Sequence, residues 1–516
     1  MRVDKLYIKK FKNLKEFYID FCEQELTSVL IGRNGSGKSN IIEALVIIFR
    51  DLDLNNPASF GYRINYICNN HDIQISAKAK KKPYFIEVNG EKVPLSRLQS
   101  VDENGTKIYL PKHVFAYYSG PSNRLEKHFD KHQKRFYDDL LDGKENTLRP
   151  FFYARLIHSH FVLLSFFSFF DEKAKEFLKQ YLDIIELESV LFVLKKPYWD
   201  KKKQGYKIEE FWGAKGVVKD FLKDLYKYAL APIKETVSIS DGFSTKKQEV
   251  TYLYLKNESR LGEFAGKYIN NIEFFKNLES TYISDLINEV KIRVVKSDGT
   301  KITFRELSEG EQQLITVLGL LKFTKNDESL FLLDEPDTHL NPAWKFEYLQ
   351  LLKEVVGDSE TSQVIISTHD PIVIGGLRRE QVTIFTRYED GISTKNPELD
   401  PKGMGVAALL TSELFGLTTT LDPETQRKID QKRELMFKQD KTPEDIAKIK
   451  RLADELGSLD YTKTIRDPLY DKFVAAVFKR KEFKKPVLTP EEIAEQSRIA
   501  DKILDEILGE EKNEVD

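Results

Sequence analysis

Apolar and polar positions change period several times along this chain, and each change marks an element. VDKLYIKKF (3–11) alternates, as a half-buried strand does, and LTSVLI (26–31) is a short unbroken apolar run of the fully buried type. Residues 1–31 therefore predict two strands, and the apolar helix NIIEALVIIF (40–49) follows. Between 70 and 120 the pattern is β-rich: IQISAKA, YFIEV, KIYL and HVFAYY (113–118) are strand-like, and Asn89-Gly90 is a hairpin turn. From about 122 to 288 the period is mostly helical, with dense aromatics and Lys/Glu faces. Strands return as VKIRVV and KITF around a second hairpin, Asp298-Gly299. Two buried runs follow, SLFLLDEP (329–336) and QVIISTHDP (363–371), with the helix PAWKFEYLQLLKEVV between them, Asn341 as its N-cap and Pro342 at its first position. QVTIFTRYEDGIST closes the sheet near 395. The last 120 residues predict helices, with three starts of one form, Asp422-Pro423-Glu424, Thr442-Pro443-Glu444 and Thr489-Pro490-Glu491. The acid-rich end, 501–516, predicts a frayed tail.

Composition narrows this α/β pattern. With 516 residues, 41% apolar and 31% charged, the chain has material for sizeable cores, and wholesale disorder is excluded. Eighty Lys and Arg against 82 Asp and Glu leave a net charge of −2, so nucleic acid would have to meet a local patch. Cys22 and Cys68 are too few for a disulfide framework. FFYARLIHSHFVLLSFFSFF (151–170) carries Arg155, His158 and His160, and its unbroken apolar part is too short to span a bilayer, so a buried helix is expected. The start, MRVDKLYIKKF, has no apolar signal core. The expectation is a soluble cytoplasmic protein with no membrane partner.

Four motifs carry chemistry. Gly32-Arg33-Asn34-Gly35-Ser36-Gly37-Lys38-Ser39 fits G-x-x-x-x-G-K-[ST] between a buried strand and an apolar helix. Such a loop curls backbone N–H groups around phosphate, with the helix N-terminus adding its positive end. Lys38 is the candidate ligand of the β/γ-phosphates, and the Ser39 hydroxyl the candidate Mg²⁺ ligand. Asn34, Gly35, Ser36, Gly37 and Asn40 complete the cradle. Phe331-Leu332-Leu333-Asp334-Glu335 ends a buried strand in two carboxylates, Asp334 for Mg²⁺ and Glu335 for the attacking water. Leu307-Ser308-Glu309-Gly310-Glu311 opens an apolar helix, where Ser308 is an N-cap and Gly310 frees backbone N–H groups for a second anion site. Ser367-Thr368-His369-Asp370-Pro371 ends another buried strand, with His369 the candidate γ-phosphate contact. Seen alone, each has a plainer reading: a capped helix, a loop start, a structural histidine. Their occurrence in this order, each in a suitable element, is what points to a nucleotide site.

In that order the chain resembles the ABC-type ATPase heads of the SMC/RecF group, over 1–120 and 290–395. The resemblance makes Lys38 and Ser39 Walker A, Asp334 and Glu335 Walker B, Ser308 and Gly310 the signature, and His369 the switch histidine. Asn341 falls at the D-loop position, and IKKFKN (8–13) is similar to the strand that flanks the nucleotide. Two departures stand out. No glutamine occupies the Q-loop place, which holds HVFAYYSGPSNR (113–124), and the insertion lacks the heptads of an SMC tether. The implied architecture is an N-terminal half-head (1–121), a mostly helical insertion (122–288), a C-terminal half-head (289–396) and a helical C-terminal extension for assembly or docking (397–516).

One P-loop and one signature per chain imply a head-to-tail homodimer, or a higher assembly, that closes on ATP and Mg²⁺. The short insertion and helical extension most resemble the restriction-system-associated defence ATPases, the PtuA type of Septu and retron systems. That resemblance implies a slow, regulatory ATPase controlling a partner nuclease of the HNH class. The alternative is a RecF-like DNA-repair ATPase, and gene neighbourhood separates the two. A transporter subunit fits worst, because the coupling surface is missing. KKPYWDKKK (195–203) is the local patch where Tyr198 or Trp199 could stack on a base, against the plainer reading of a solvated edge.

Overall fold

The structure, a computed structural model, describes residues 1–22, 24–80, 84–103, 105–122, 124–144, 149–169, 172–200, 208–241, 244–324, 328–356, 361–389, 391–456, 473, 477, 480 and 489–514. The chain divides into two compact units, residues 1–31, 35–373 and 380–394, and residues 32–34, 374–379 and 395–516.

The first unit begins with β1 (Arg2–Phe11), β2 (Leu14–Asp20), β3 (Thr27–Gly32) and α1 (Lys38–Asp53). It continues with β4 (Tyr62–Cys68), β5 (His71–Ala77), β6 (Phe85–Val88), β7 (Glu91–Val93), the single turn α2 (Leu95–Leu98) and β8 (His113–Tyr118). Two of these strands, β2 and β4, go beyond the sequence expectation, whereas KIYL is no strand: only Lys107 pairs, in one bridge to Val101. Strands β2-β1-β4-β5-β6-β7 form an antiparallel sheet, with Asn89-Gly90 turning β6 into β7 as expected.

The insertion supplies α3 (Asp130–Leu141), β9 (Phe151–Tyr153), α4 (Leu156–Ser168), α5 (Glu172–Leu182), β10 (Ile184–Lys195), α6 (Gly216–Tyr228), β11 (Leu230–Asp241), β12 (Ser244–Leu255), α7 (Glu258–Ala265) and α8 (Asn271–Ile283). Helix dominates, but three long strands were not foreseen. With β13 (Ile287–Lys296) and β14 (Lys301–Thr303) they build an antiparallel sheet, β11-β12-β10-β13-β14. The greasy stretch splits into β9 and α4, and α4 is buried along most of its length. The buried Glu279 on α8 accepts hydrogen bonds from Arg149 and from His158 Nε2 (3.0 Å), so each charge taken out of water has a partner.

Then come α9 (Glu309–Thr324), β15 (Ser329–Asp334), α10 (Pro342–Val356), β16 (Ser362–Ser367), the short α11 (Pro371–Ile374), β17 (Val382–Arg387) and β18 (Ile392–Lys395). The central sheet runs β18-β17-β3-β16-β15-β8-β9, parallel from β3 through β9. Strands β15 and β16 are buried at every position, which is why they read as unbroken apolar runs. Register then fixes the site. Asp334 pairs with Ser367 on one side and Tyr118 on the other, and Ser367 pairs with Leu30. The C-terminal ends of four parallel strands thus lie in one row, the edge at which open α/β sheets bind ligands.

The second unit holds α12 (Val406–Thr411), α13 (Pro423–Met436), α14 (Pro443–Leu456) and α15 (Pro490–Glu514). The three Pro-led starts are helix starts. Asp422 accepts from the N–H groups of Glu424 and Thr425, and Thr442 and Thr489 form capping boxes with Asp445 and Glu492. Lys428 bridges α13 to Glu455 of α14 at 3.3 Å. The acidic end stays helical to Glu514 rather than fraying. No described helix is long and apolar enough to cross a membrane.

Candidate functional site

The turn between β3 and α1 is built for close approach. Gly37 caps α1 at φ 101°, a left-handed conformation that a Cβ would strain, and a Cβ there would also meet Leu14 and Ile392 at 2.9 Å. Asn34 and Gly35 sit exposed in the turn. Ser36 is buried and its hydroxyl has no hydrogen-bond partner, an orphaned donor that suits a phosphate oxygen. Asn40 donates to Asn13 Oδ1 (2.6 Å), and Asn13 donates to the Gly35 carbonyl (3.0 Å). IKKFKN thus ends on the phosphate loop.

Lys38 and Ser39, the first residues of α1, face the strand ends. Ser39 Oγ donates to Asp334 Oδ1 at 2.9 Å, and Ser367 Oγ donates to the same oxygen. Asp334 is fully buried, and its other oxygen accepts from Arg124, whose guanidinium also lies 4.8 Å from the Tyr118 ring centroid. Arg124 comes from the segment that stands in the Q-loop place. Sequence reasoning missed it because nothing local marks a residue that meets its partner 210 positions away. Lys38 Nζ lies 3.5 Å from His369 Nδ1, and His369 Nε2 donates to Glu335 Oε1 at 3.0 Å. This relay has a consistent proton order: the ring nitrogen facing Lys38 accepts and the other donates. Glu335 holds φ 55°, uncommon for a residue with a side chain. Its N–H is tied to the Ser367 carbonyl (2.9 Å), and its own carbonyl accepts from Thr338 Oγ1 (2.9 Å). Strain of this kind collects at functional sites.

Charges are tuned to match. Burial pulls the Lys38 ammonium down to about 8, against the raising effect of Glu335 and Asp334. The His369 hydrogen bond holds the Glu335 carboxyl below its usual range, against burial and with help from the Lys38 and Arg124 charges. Asp337 behaves oppositely: burial lifts it to about 6, although Thr368 Oγ1 donates to it at 2.8 Å, and its Oδ1 has no partner. Thr368 was read only as part of a motif and Asp337 not at all, and the structure makes them a buried pair.

Ser308 and Gly310 are placed differently. Ser308 forms a capping box with Glu311, donating from its N–H (2.6 Å) and accepting from the Glu311 N–H (3.2 Å). Gly310 packs so tightly that a Cβ would lie 2.4 Å from the His339 carbonyl. Within one chain the signature is therefore wedged against the loop after β15, with Glu309 3.1 Å from His339 Nδ1 and Glu311 accepting from Lys296 Nζ at 3.5 Å. Asn341 Oδ1 accepts from the Trp344 N–H (2.9 Å), capping α10 as expected. Tyr198 and Trp199 are described, and Lys201–Lys203 of that patch lie outside the described residues.

A family described as "AAA domain, putative AbiEii toxin, Type IV TA system" matches residues 28–375, the span that carries all four motifs. The chain belongs to this family. It is 24% identical over 445 residues to the Retron Vc95 probable ATPase of Vibrio cholerae, spanning 78% of this chain and 76% of that one. It is 31% identical over 183 residues to the Septu protein PtuA of Bacillus mycoides, 33% of this chain and 24% of that one. A third relative, the DNA replication and repair protein RecF of Thermoanaerobacter, is 25% identical over 378 residues, 68% and 92% of the two chains. The chain thus carries this AAA-type family's P-loop site on an α/β sheet with an inserted segment and a helical C-terminal region, and is similar to retron, Septu and RecF proteins.

Proposed function

We propose that the chain is the ATP-binding and ATP-hydrolysing subunit of a bacterial antiphage defence system, a homodimer that closes head to tail on ATP and so controls a partner nuclease of the HNH class. The observation that carries the chemistry is the convergence of Ser39, Asp334, Glu335, His369 and Lys38, from three sequence-distant segments, on one strand-end row. The defence role is supported by the likeness to the retron and Septu proteins.

Ser39 Oγ and Asp334 Oδ1 are adjacent hard oxygens, a donor pair that fits Mg²⁺ completed by phosphate and water. When bound, the ion supplies charge neutralisation at the β- and γ-phosphates. The backbone of Gly35–Ser39 and the free Ser36 hydroxyl hold phosphate, and Lys38 adds its charge at the β/γ position. Glu335 orients the attacking water. Its lowered carboxyl makes it an acceptor that aligns the water more than a base that keeps the proton. His369, joined to Glu335 through Nε2–H, stands at the γ-phosphate side and orients that carboxylate. Ser308 and Gly310 contact the nucleotide of the second copy.

The test is nucleotide-dependent mass. Glu335→Gln keeps the ligands for phosphate and metal and loses only the water-orienting charge. Light scattering of that variant should show a dimer with ATP and Mg²⁺ and a smaller species with ADP. The neighbouring gene product should co-elute with the wild-type protein. A Glu335→Gln protein whose mass ignores ATP rejects the gate. RecF similarity over most of that relative keeps one other reading open, a repair ATPase. Neighbours that are repair genes rather than a nuclease would favour it.

A further inference from the structure

Away from the phosphate loop, the end of β10 meets the first half of α3 and the end of α8 around a cleft of about 530 Å³. Tyr198 stands on its rim at 72% exposure, stacked on Tyr137 with centroids 5.9 Å apart and planes 14° from parallel. Exposed aromatics are usually mobile, but this one is held from behind. Its N–H donates to Asp285 Oδ2 (3.2 Å), and the next residue, Trp199, donates from Nε1 to the Ser284 carbonyl (2.9 Å). The Tyr137 hydroxyl is buried without a hydrogen bond of good geometry. Burial and the Tyr198 phenol beside it keep it protonated, so it stays a donor.

The charges select the ligand. Lys195 is neutralised by Asp285 (2.6 Å) and Arg155 by Glu126 (2.6 Å), whereas Lys134 has no carboxylate at ion-pair distance among the described residues. The one uncompensated cation among the described residues of the cleft offers a contact to a single phosphate. Asp130 and Asn288 line the same cleft and offer hydrogen-bonding groups to the edge of a ring. A fixed π-face, a buried phenol donor, edge-reading groups and, among the described residues, a single free cation make up the chemistry that holds one unpaired nucleobase with its phosphate.

We propose that this cleft binds an unpaired nucleotide at the end of a single-stranded nucleic acid, its base on Tyr198 and its phosphate at Lys134. The full-length chain, with Lys38→Ala to silence the phosphate loop, is titrated into labelled dT12 and followed by fluorescence anisotropy. Tyr198→Ala should weaken binding about tenfold, the scale of one lost base stack. Lys134→Glu should also weaken it and flatten the dependence of log affinity on log salt by roughly 0.7. Both side chains lie at the surface of the cleft, and retained circular dichroism confirms that each variant is folded. A duplex of the same sequence should bind more weakly than the strand. Resistance of the complex to millimolar dTMP supports a strand end, and displacement at micromolar dTMP identifies a free nucleotide as the source of the same base-and-phosphate chemistry. No binding of dT12, or equal affinity for the parent protein and both variants, overturns the assignment.

Discussion

Lys38 is a buried ammonium within reach of the Glu335 and Asp334 charges. Burial lowers it to about 8, so the free site loses its positive charge as pH passes that value, while a phosphate beside it would keep the proton on. Nucleotide binding must then take up a proton at high pH. ATP affinity measured by calorimetry should fall about tenfold between pH 7 and pH 9. A flat profile would place the phosphates away from Lys38. Asp337 gives a prediction about stability. Its carboxyl is raised to about 6 by burial from an ordinary 3.8, so between those values the folded state holds a proton that the unfolded chain has released. Stability therefore falls as pH rises from about 4 to 6, and the full cost, on the order of 3 kcal/mol, persists above that. Asp337→Asn keeps an acceptor for Thr368 and should raise Tm at pH 8 more than at pH 4.5. An equal gain at both pH values would mean that charge burial is not the cause. The motif residues were legible in the sequence because spacing and flanking strands announce them. Arg124, Thr368 and Asn13 were not, because their roles come from register between strands far apart in the chain.

Elements were legible wherever burial was uniform or alternation clean. β3, β15 and β16 read as strands because both faces are covered, and the helices led by Pro342, Pro423, Pro443 and Pro490 announced their own first turns. β10 hid because register shifts between Ile184 and Glu186, and again between Leu187 and Ser189, break the two-residue period. β11 hid behind Pro232, which is tolerated because β11 is the edge strand of its sheet. At this scale the junction between α9 and the loop after β15 is the most sensitive. Gly310 leaves no room for a methyl group beside the His339 carbonyl, and Gln313 Nε2 donates to the Pro336 carbonyl one turn later. Gly310→Ala forces backbone to move and should cost about 1–3 kcal/mol, seen as a lower Tm. An unchanged Tm would show that the junction gives way freely.

For the whole molecule, every residue proposed to contact ATP within one chain from Gly35 to His369 belongs to the first compact unit, and α13–α15 belong to the second. On α15, Ile503 is buried, Ile493 and Ala500 are half-buried and Leu504 is 42% exposed, while the Ile507 side chain lies outside the described residues. An apolar stripe left partly open suits a surface completed by another subunit. Deleting residues from 422 onward should keep ATP affinity and abolish higher assembly or binding of the proposed nuclease partner. A truncated protein that no longer binds ATP would place this region in the head's core instead. The most direct test of the central claim, that these strand ends are an ATP-hydrolysing site, is to measure ATP affinity and single-turnover hydrolysis on the same preparations of wild type and Glu335→Gln. The account predicts matched affinity with hydrolysis slowed by at least about a hundredfold, the scale of one positioned acid–base group. Equal hydrolysis by the two proteins would contradict it.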